Sequence, residues 1–163
     1  MINEEYLKIL TGTLKFVEDD HIWIMLSYVV AVIVLTIIIS KQFKKAKRFD
    51  KVAMCSVAFL FVVILCMYLS FYYSFTNKLT SDISNNEFVT YTGKFTHDNY
   101  QSDSFAHYIY INQDIRDNDT LIYPDYGNMY KLRSNDRRLP LGDSEGTLIY
   151  GKSSRVVVDW ILE

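Results

Sequence analysis

The stretch Val52 to Tyr73, VAMCSVAFLFVVILCMYLSFYY, runs for 22 residues without an Asp, Glu, Lys, Arg or His. Upstream, Ile22 to Ser40, IWIMLSYVVAVIVLTIIIS, does the same over 19 residues. At 1.5 Å per helical residue the two reach about 33 and 28 Å, close to the roughly 30 Å hydrocarbon core of a bilayer. They read as transmembrane helices 22–40 and 52–73 of one hairpin. Whole-chain figures conceal this, because 163 residues that are 50% apolar, 22% charged and −2 overall would describe an ordinary soluble domain.

Dividing the charge by segment gives an orientation. Residues 1–21 sum to −3, residues 74–163 to −4, and the loop 41–51 to +5 through Lys41, Lys44, Lys45, Lys47, Arg48 and Lys51 against Asp50. Short loops rich in Lys and Arg stay in the cytoplasm, so the loop is expected inside and both termini outside. Such a loop can also attract anionic lipid headgroups. A cleaved signal peptide would need a basic start, a shorter apolar run and a small-residue cleavage site. Here the start is acidic and the run is long, so the first span is expected to stay as an anchor. Cys55 and Cys66 both lie in the second span, too far apart along a helix to bridge. An exported domain without cysteines suits the plasma membrane of a bacterium. Asn118-Asp119-Thr120 fits the glycosylation sequon and is read as a chance match.

The remaining chain is small. Ile2, Tyr6, Leu10, Leu14 and Val17 recur at spacings of three and four, so residues 1–21 read as an outer amphipathic segment lying along the membrane surface, weakened by Gly12. Within the spans, the lack of ionisable groups argues against a transporter or proton relay. Ser27 and Ala31, with Ser56 and Ala58 opposite, would let the helices approach closely. Trp23 and Tyr28 in the first span, and Tyr68, Phe71, Tyr72 and Tyr73 in the second, mark the outer interface.

Residues 74–86 read as a polar linker. Residues 87–163 then carry short segments rich in Val, Ile, Tyr, Phe and Thr: Glu87 to Gly93, Phe105 to Asn112, Thr120 to Tyr123, Asn128 to Leu132, Thr147 to Tyr150 and Arg155 to Leu162. Gly151-Lys152-Ser153-Ser154 reads as the turn of a final hairpin. The expected fold is therefore a membrane α-helical hairpin plus a small all-β extracytoplasmic domain, an antiparallel sheet or a small barrel like the oligonucleotide- and oligosaccharide-binding class. A domain of this size excludes a large enzyme.

Chemistry is sparse. Gly142-Asp143-Ser144-Glu145-Gly146 fits the G-x-S-x-G spacing, but that nucleophile elbow needs a strand turning into a helix and a later histidine, and no histidine follows His107. A polar turn is expected there. Asp114, Asp117 and Asp119 lack the glycine and closing Glu of a calcium loop. His97 and His107 match no compact zinc spacing. No catalytic residue, metal or cofactor is expected, and the chain is read as not an enzyme. Nucleic acid is set aside because the domain is acidic and its one basic cluster, Arg133, Arg137 and Arg138, is interrupted by Asp136.

What remains is tyrosine: Tyr91, Tyr100, Tyr108, Tyr110, Tyr123, Tyr126, Tyr130 and Tyr150. Tyrosine forms strands well and is also enriched at recognition surfaces. The face carrying Tyr108 and Tyr110, opposite His107, Ile109 and Ile111, is the candidate binding face, with Trp160 as the third aromatic candidate. The function expected is a two-span membrane protein displaying its β domain as a binding or accessory module of the immunity, exclusion or complex-accessory type. Its expected partners are the lipid bilayer and another membrane or extracytoplasmic protein, and a homo-oligomer is compatible with this. The alternatives are a membrane-disturbing, pore-forming hairpin regulated by the β domain, and a membrane-tethered hydrolase.

Overall fold

The computed structural model describes residues 2–43, 47–98, 107–111, 119–124 and 139–163. Helices α1 (Ile2–Phe43) and α2 (Arg48–Asn85) precede strands β1 (Phe88–Asp98), β2 (His107–Ile111), β3 (Asp119–Tyr123), β4 (Gly142–Gly151) and β5 (Val157–Leu162). The expected strand Asn128 to Leu132 lies outside the described residues. The chain divides into two compact units, residues 16–75 and residues 1–15 with 76–163.

The first of these is the helical hairpin. Both helices are long and apolar enough to cross a membrane, and no residue in their most apolar windows is buried by protein. Phe71 at 73%, Met67 at 69% and Trp23 at 68% exposure typify this apolar jacket. The half-buried positions form a seam. In α2 they include Met54, Ala58, Phe61, Leu65, Tyr68, Tyr72 and Phe75, alternately four and three apart. His21, Met25, Tyr28, Ala31, Leu35 and Ile39 are the half-buried positions of α1 between His21 and Ile39. The Tyr28 hydroxyl donates to the Phe61 carbonyl at 2.9 Å, tying the two helices in their apolar stretch. His21 stacks on Tyr72 at 3.7 Å and its Nδ1 lies 3.0 Å from the Tyr68 hydroxyl. Of the small residues expected at the seam, Ala31 and Ala58 are there. Ser27 and Ser56 are exposed, and the Ser56 hydroxyl is satisfied within its own helix by the Val52 carbonyl. Cys55 and Cys66 are free and exposed.

The second unit is built on an antiparallel sheet in the order β3-β2-β1-β4-β5. It curls into a half-barrel. A register shift between Ile149 and Tyr150 bends β4 against β5, as a bulge does. A parallel bridge from Ile122 to Val156 then brings β3 to the start of β5, where the Ile122 N–H donates to the Arg155 carbonyl at 2.9 Å. Alternate residues of each strand point inward, so Phe95, Ile109, Ile111, Leu121, Tyr123, Leu148, Tyr150 and Val157 fill the core with Leu139.

Helical residues complete this unit. Tyr6, Ile9, Leu10 and Thr13 of α1 are buried. The apolar stripe expected to face lipid is thus covered by protein over its first turns. The Tyr6 hydroxyl donates to Asp159 Oδ2 at 3.0 Å, and its ring meets Phe88 edge-on at 5.4 Å. The stretch 74–86, read as a linker, is helical through Asn85. Leu79 and Asp82 are fully buried there, and packing overrides the weak helix propensity of Thr80, Ser81 and Ser84. Asn86 stops the helix in the left-handed conformation, φ 54°. The Asp82 carboxylate accepts the backbone N–H of Ser153 at 2.8 Å and of Ser154 at 2.7 Å, fixing the β4–β5 turn to the end of α2.

Tyr6 carries a pH dependence. Burial first, then its hydrogen bond to Asp159 and the charge of that carboxylate, push its pKa from 10.0 up to about 12. The folded state thus favours the neutral phenol. Its contribution is complete below pH 10 and is lost as the pH rises toward 12. Two units correspond to at most about 3 kcal/mol. The stability difference between wild type and Tyr6→Phe is expected to shrink over that interval in thermal unfolding. A difference independent of pH would contradict the assignment.

Candidate functional site

Strand alternation along β2 places His107, Ile109 and Ile111 inward and Tyr108 and Tyr110 on the opposite face, as expected. Tyr108 stands between Asp98 of β1 and Ile122 of β3, and Tyr110 between Thr96 and Thr120. Tyr108 is 45% exposed, and Tyr110 is half-buried among its neighbours. The same face continues in polar pairs across β1 and β4: the Thr96 hydroxyl donates to Asp143 Oδ1 at 2.7 Å, and the Thr92 and Thr147 hydroxyls meet at 3.0 Å.

Trp160 is not part of that surface. It pairs with Leu148, packs against the core and meets the Tyr123 ring edge-on at 5.5 Å. The inward side of β5 takes it because the half-barrel needs a large ring there. Of the other tyrosines, Tyr123 and Tyr150 are core residues, while Tyr100, Tyr126 and Tyr130 lie outside the described residues, as do Arg133, Arg137, Arg138, Asp114 and Asp117.

Gly142 to Gly146 is strand rather than turn. Ser144 partners Phe95 within the β1–β4 ladder, so the strand-to-helix bend of a nucleophile elbow does not form. Gly146 is explained by packing, since a Cβ there would strike the Ile161 carbonyl oxygen.

The fold also makes a pair that reading along the chain misses. His97 and His107 sit on the inner side of β1 and β2, where His97 Nε2 lies 3.1 Å from His107 Nδ1. His97 Nδ1 lies 2.9 Å from the Pro140 carbonyl oxygen, and its ring meets Tyr123 edge-on at 5.0 Å. The Tyr123 hydroxyl in turn accepts the Leu139 N–H at 3.0 Å. The signal available in sequence was parity: two odd-numbered positions, both on the inward register of neighbouring strands. Among the described residues, no group of three or more His, Cys, Asp and Glu is placed to hold a metal ion.

In the basic loop, Lys41 lies in the last turn of α1, the Lys51 ammonium sits 5.1 Å from the Phe43 ring centre, and the Lys47 backbone N–H donates to Asp50 Oδ2 at 3.3 Å. Arg48 begins α2, and Lys44 and Lys45 lie outside the described residues. No protein-family model, curated protein or solved structure matches the chain.

Proposed function

We propose that the chain is a two-span integral membrane protein whose β domain works outside the cytoplasm as a binding or accessory module, with the Tyr108–Tyr110 face as its recognition surface. The observation that carries the reading is the exposed apolar jacket of residues 22–40 and 52–73, with Phe71, Met67, Trp23 and Phe59 each about two-thirds exposed or more. Contiguous exposed apolar surface on this scale suits a lipid environment. The +5 loop between the spans supports the orientation, with residues 41–51 in the cytoplasm and both termini outside. The immunity, exclusion or accessory role is proposed from the scale of the architecture alone.

The test uses intact cells. A C-terminal tag is expected to be removed by added protease while the loop 41–51 stays intact. On the same cells, cross-linking through the tag is expected to recover a partner that the double variant Tyr108→Ala, Tyr110→Ala releases. A protected tag with a cut loop would overturn the orientation, and an undiminished cross-link would overturn the recognition face.

A further inference from the structure

We propose that His97 and His107 form a binding site for a divalent transition-metal ion of the zinc, nickel or copper class, with water completing its coordination. The argument begins with proton placement. A backbone carbonyl can only accept, so the 2.9 Å contact with the Pro140 oxygen puts a proton of His97 on Nδ1, and in the neutral ring Nε2 then carries the lone pair. That lone pair faces His107 Nδ1 at 3.1 Å. With its proton on Nδ1, His107 donates to His97. With its proton on Nε2, two imidazole lone pairs face each other. A four-coordinate ion with metal–nitrogen distances of about 2.0–2.1 Å keeps neighbouring donors about 3.3 Å apart. The pair is within a few tenths of an ångström of that separation, and imidazole is the nitrogen donor these ions prefer.

The surroundings also fit. Metal-bound histidines commonly donate their second ring N–H to a carbonyl, which fixes tautomer and orientation, and Pro140 does this for His97. The β1–β2 ladder, in which His97 pairs with Ile109, holds both backbones, and the Tyr123 ring packs against the His97 edge. His97 is 2% exposed and His107 is half-buried, so an ion and its waters approach from the His107 side. Two protein ligands imply an exchangeable ion rather than a structural one. The site would make the β domain responsive to metal supply, which goes beyond the binding role proposed above.

The chain has two tryptophans and three histidines, and this makes the test direct. The full chain carrying Trp23→Phe keeps Trp160 as its one indole, against Tyr123 and close to the pair. Titrating copper(II) is expected to quench Trp160 saturably at one ion per chain, with reversal by EDTA and displacement by zinc. His107→Ala, at the half-buried position, is expected to weaken this at least tenfold, and His21→Ala is expected to leave it unchanged. Quenching that never saturates, or that survives His107→Ala, overturns the proposal. The wild-type stoichiometry decides by itself if the variant fails to fold.

Discussion

Replacing Asp82 with alanine is expected to cost the β-bearing unit about 3–5 kcal/mol, because two buried backbone donors would be left without an acceptor, each at about 1–3 kcal/mol. Asp82 is fully buried at the end of α2, and its carboxylate takes the N–H groups of both Ser153 and Ser154. Gly151 packs against the same carboxylate: a Cβ on that residue would stand 2.5 Å from Asp82 Oδ2 and 2.5 Å from Ser154 Oγ. The turn, the carboxylate and the glycine are therefore one interlocked element. Asp82→Asn keeps a carbonyl acceptor and should lose about half as much. Hydrogen exchange at the Ser153 and Ser154 amides gives the local readout and denaturant unfolding the global one. An Asp82→Ala protein within about 1 kcal/mol of wild type would mean that the turn holds itself.

Gly146→Val is expected to be comparably damaging for a different reason. Across the β4–β5 pairing, the position of a Gly146 Cβ is already occupied by the Ile161 carbonyl oxygen, and the Leu162 Cα stands 3.0 Å away. Both are backbone atoms and cannot rotate aside. The strands must separate, breaking the Glu163 N–H bond to the Glu145 carbonyl at the sheet end. Overpacking of this kind costs typically about 1–3 kcal/mol, and because the Cβ itself makes the clash, alanine and valine are both expected near the top of that range. Gly142→Ala is the informative contrast. Nothing lies within 4 Å of its Cβ, but its φ of 91° is left-handed, so it should cost about 1 kcal/mol through backbone strain alone. Melting temperatures of both Gly146→Ala and Gly146→Val below that of Gly142→Ala would support the close approach, and values equal to it would remove it.

Much of this architecture could be read from residue order, and the failures have physical causes. A run without charge is a one-dimensional signal, so Ile22–Ser40 and Val52–Tyr73 were legible as long apolar helices. Strand alternation is equally local, which is why Tyr108 and Tyr110 fall opposite Ile109 and Ile111 as expected. The helical ends were harder. Thr76 to Asn85 is polar and propensity alone makes it a loop, but Leu79 is fully buried and Asp82 acquires the amides of Ser153 and Ser154, far away in sequence. Gly142 to Gly146 contains turn-forming residues that a strand tolerates only because β5 passes so close to Gly146. The His97–His107 pair depends on the β1–β2 register, a long-range property that spacing along the chain does not encode. Trp160 was assigned to a surface because aromatic residues serve both cores and interfaces, and only the curl of the sheet decides between them.

The seam of the helical hairpin has a consequence for how its length can vary. In α2 the seam positions from Met54 to Phe75 return every seven residues, while in α1 those from His21 to Ile39 take five steps over 18 residues, the 3.6 of a straight helix. Inserting one residue would swing every later position through about 100°, carrying Tyr68 and Tyr72 away from His21 and turning an exposed ring such as Phe71 into the contact. The contacts of the seam therefore survive a change of length only when whole turns are added to or removed from both helices together. The seam works as a ratchet: the hairpin can lengthen or shorten, but only in register.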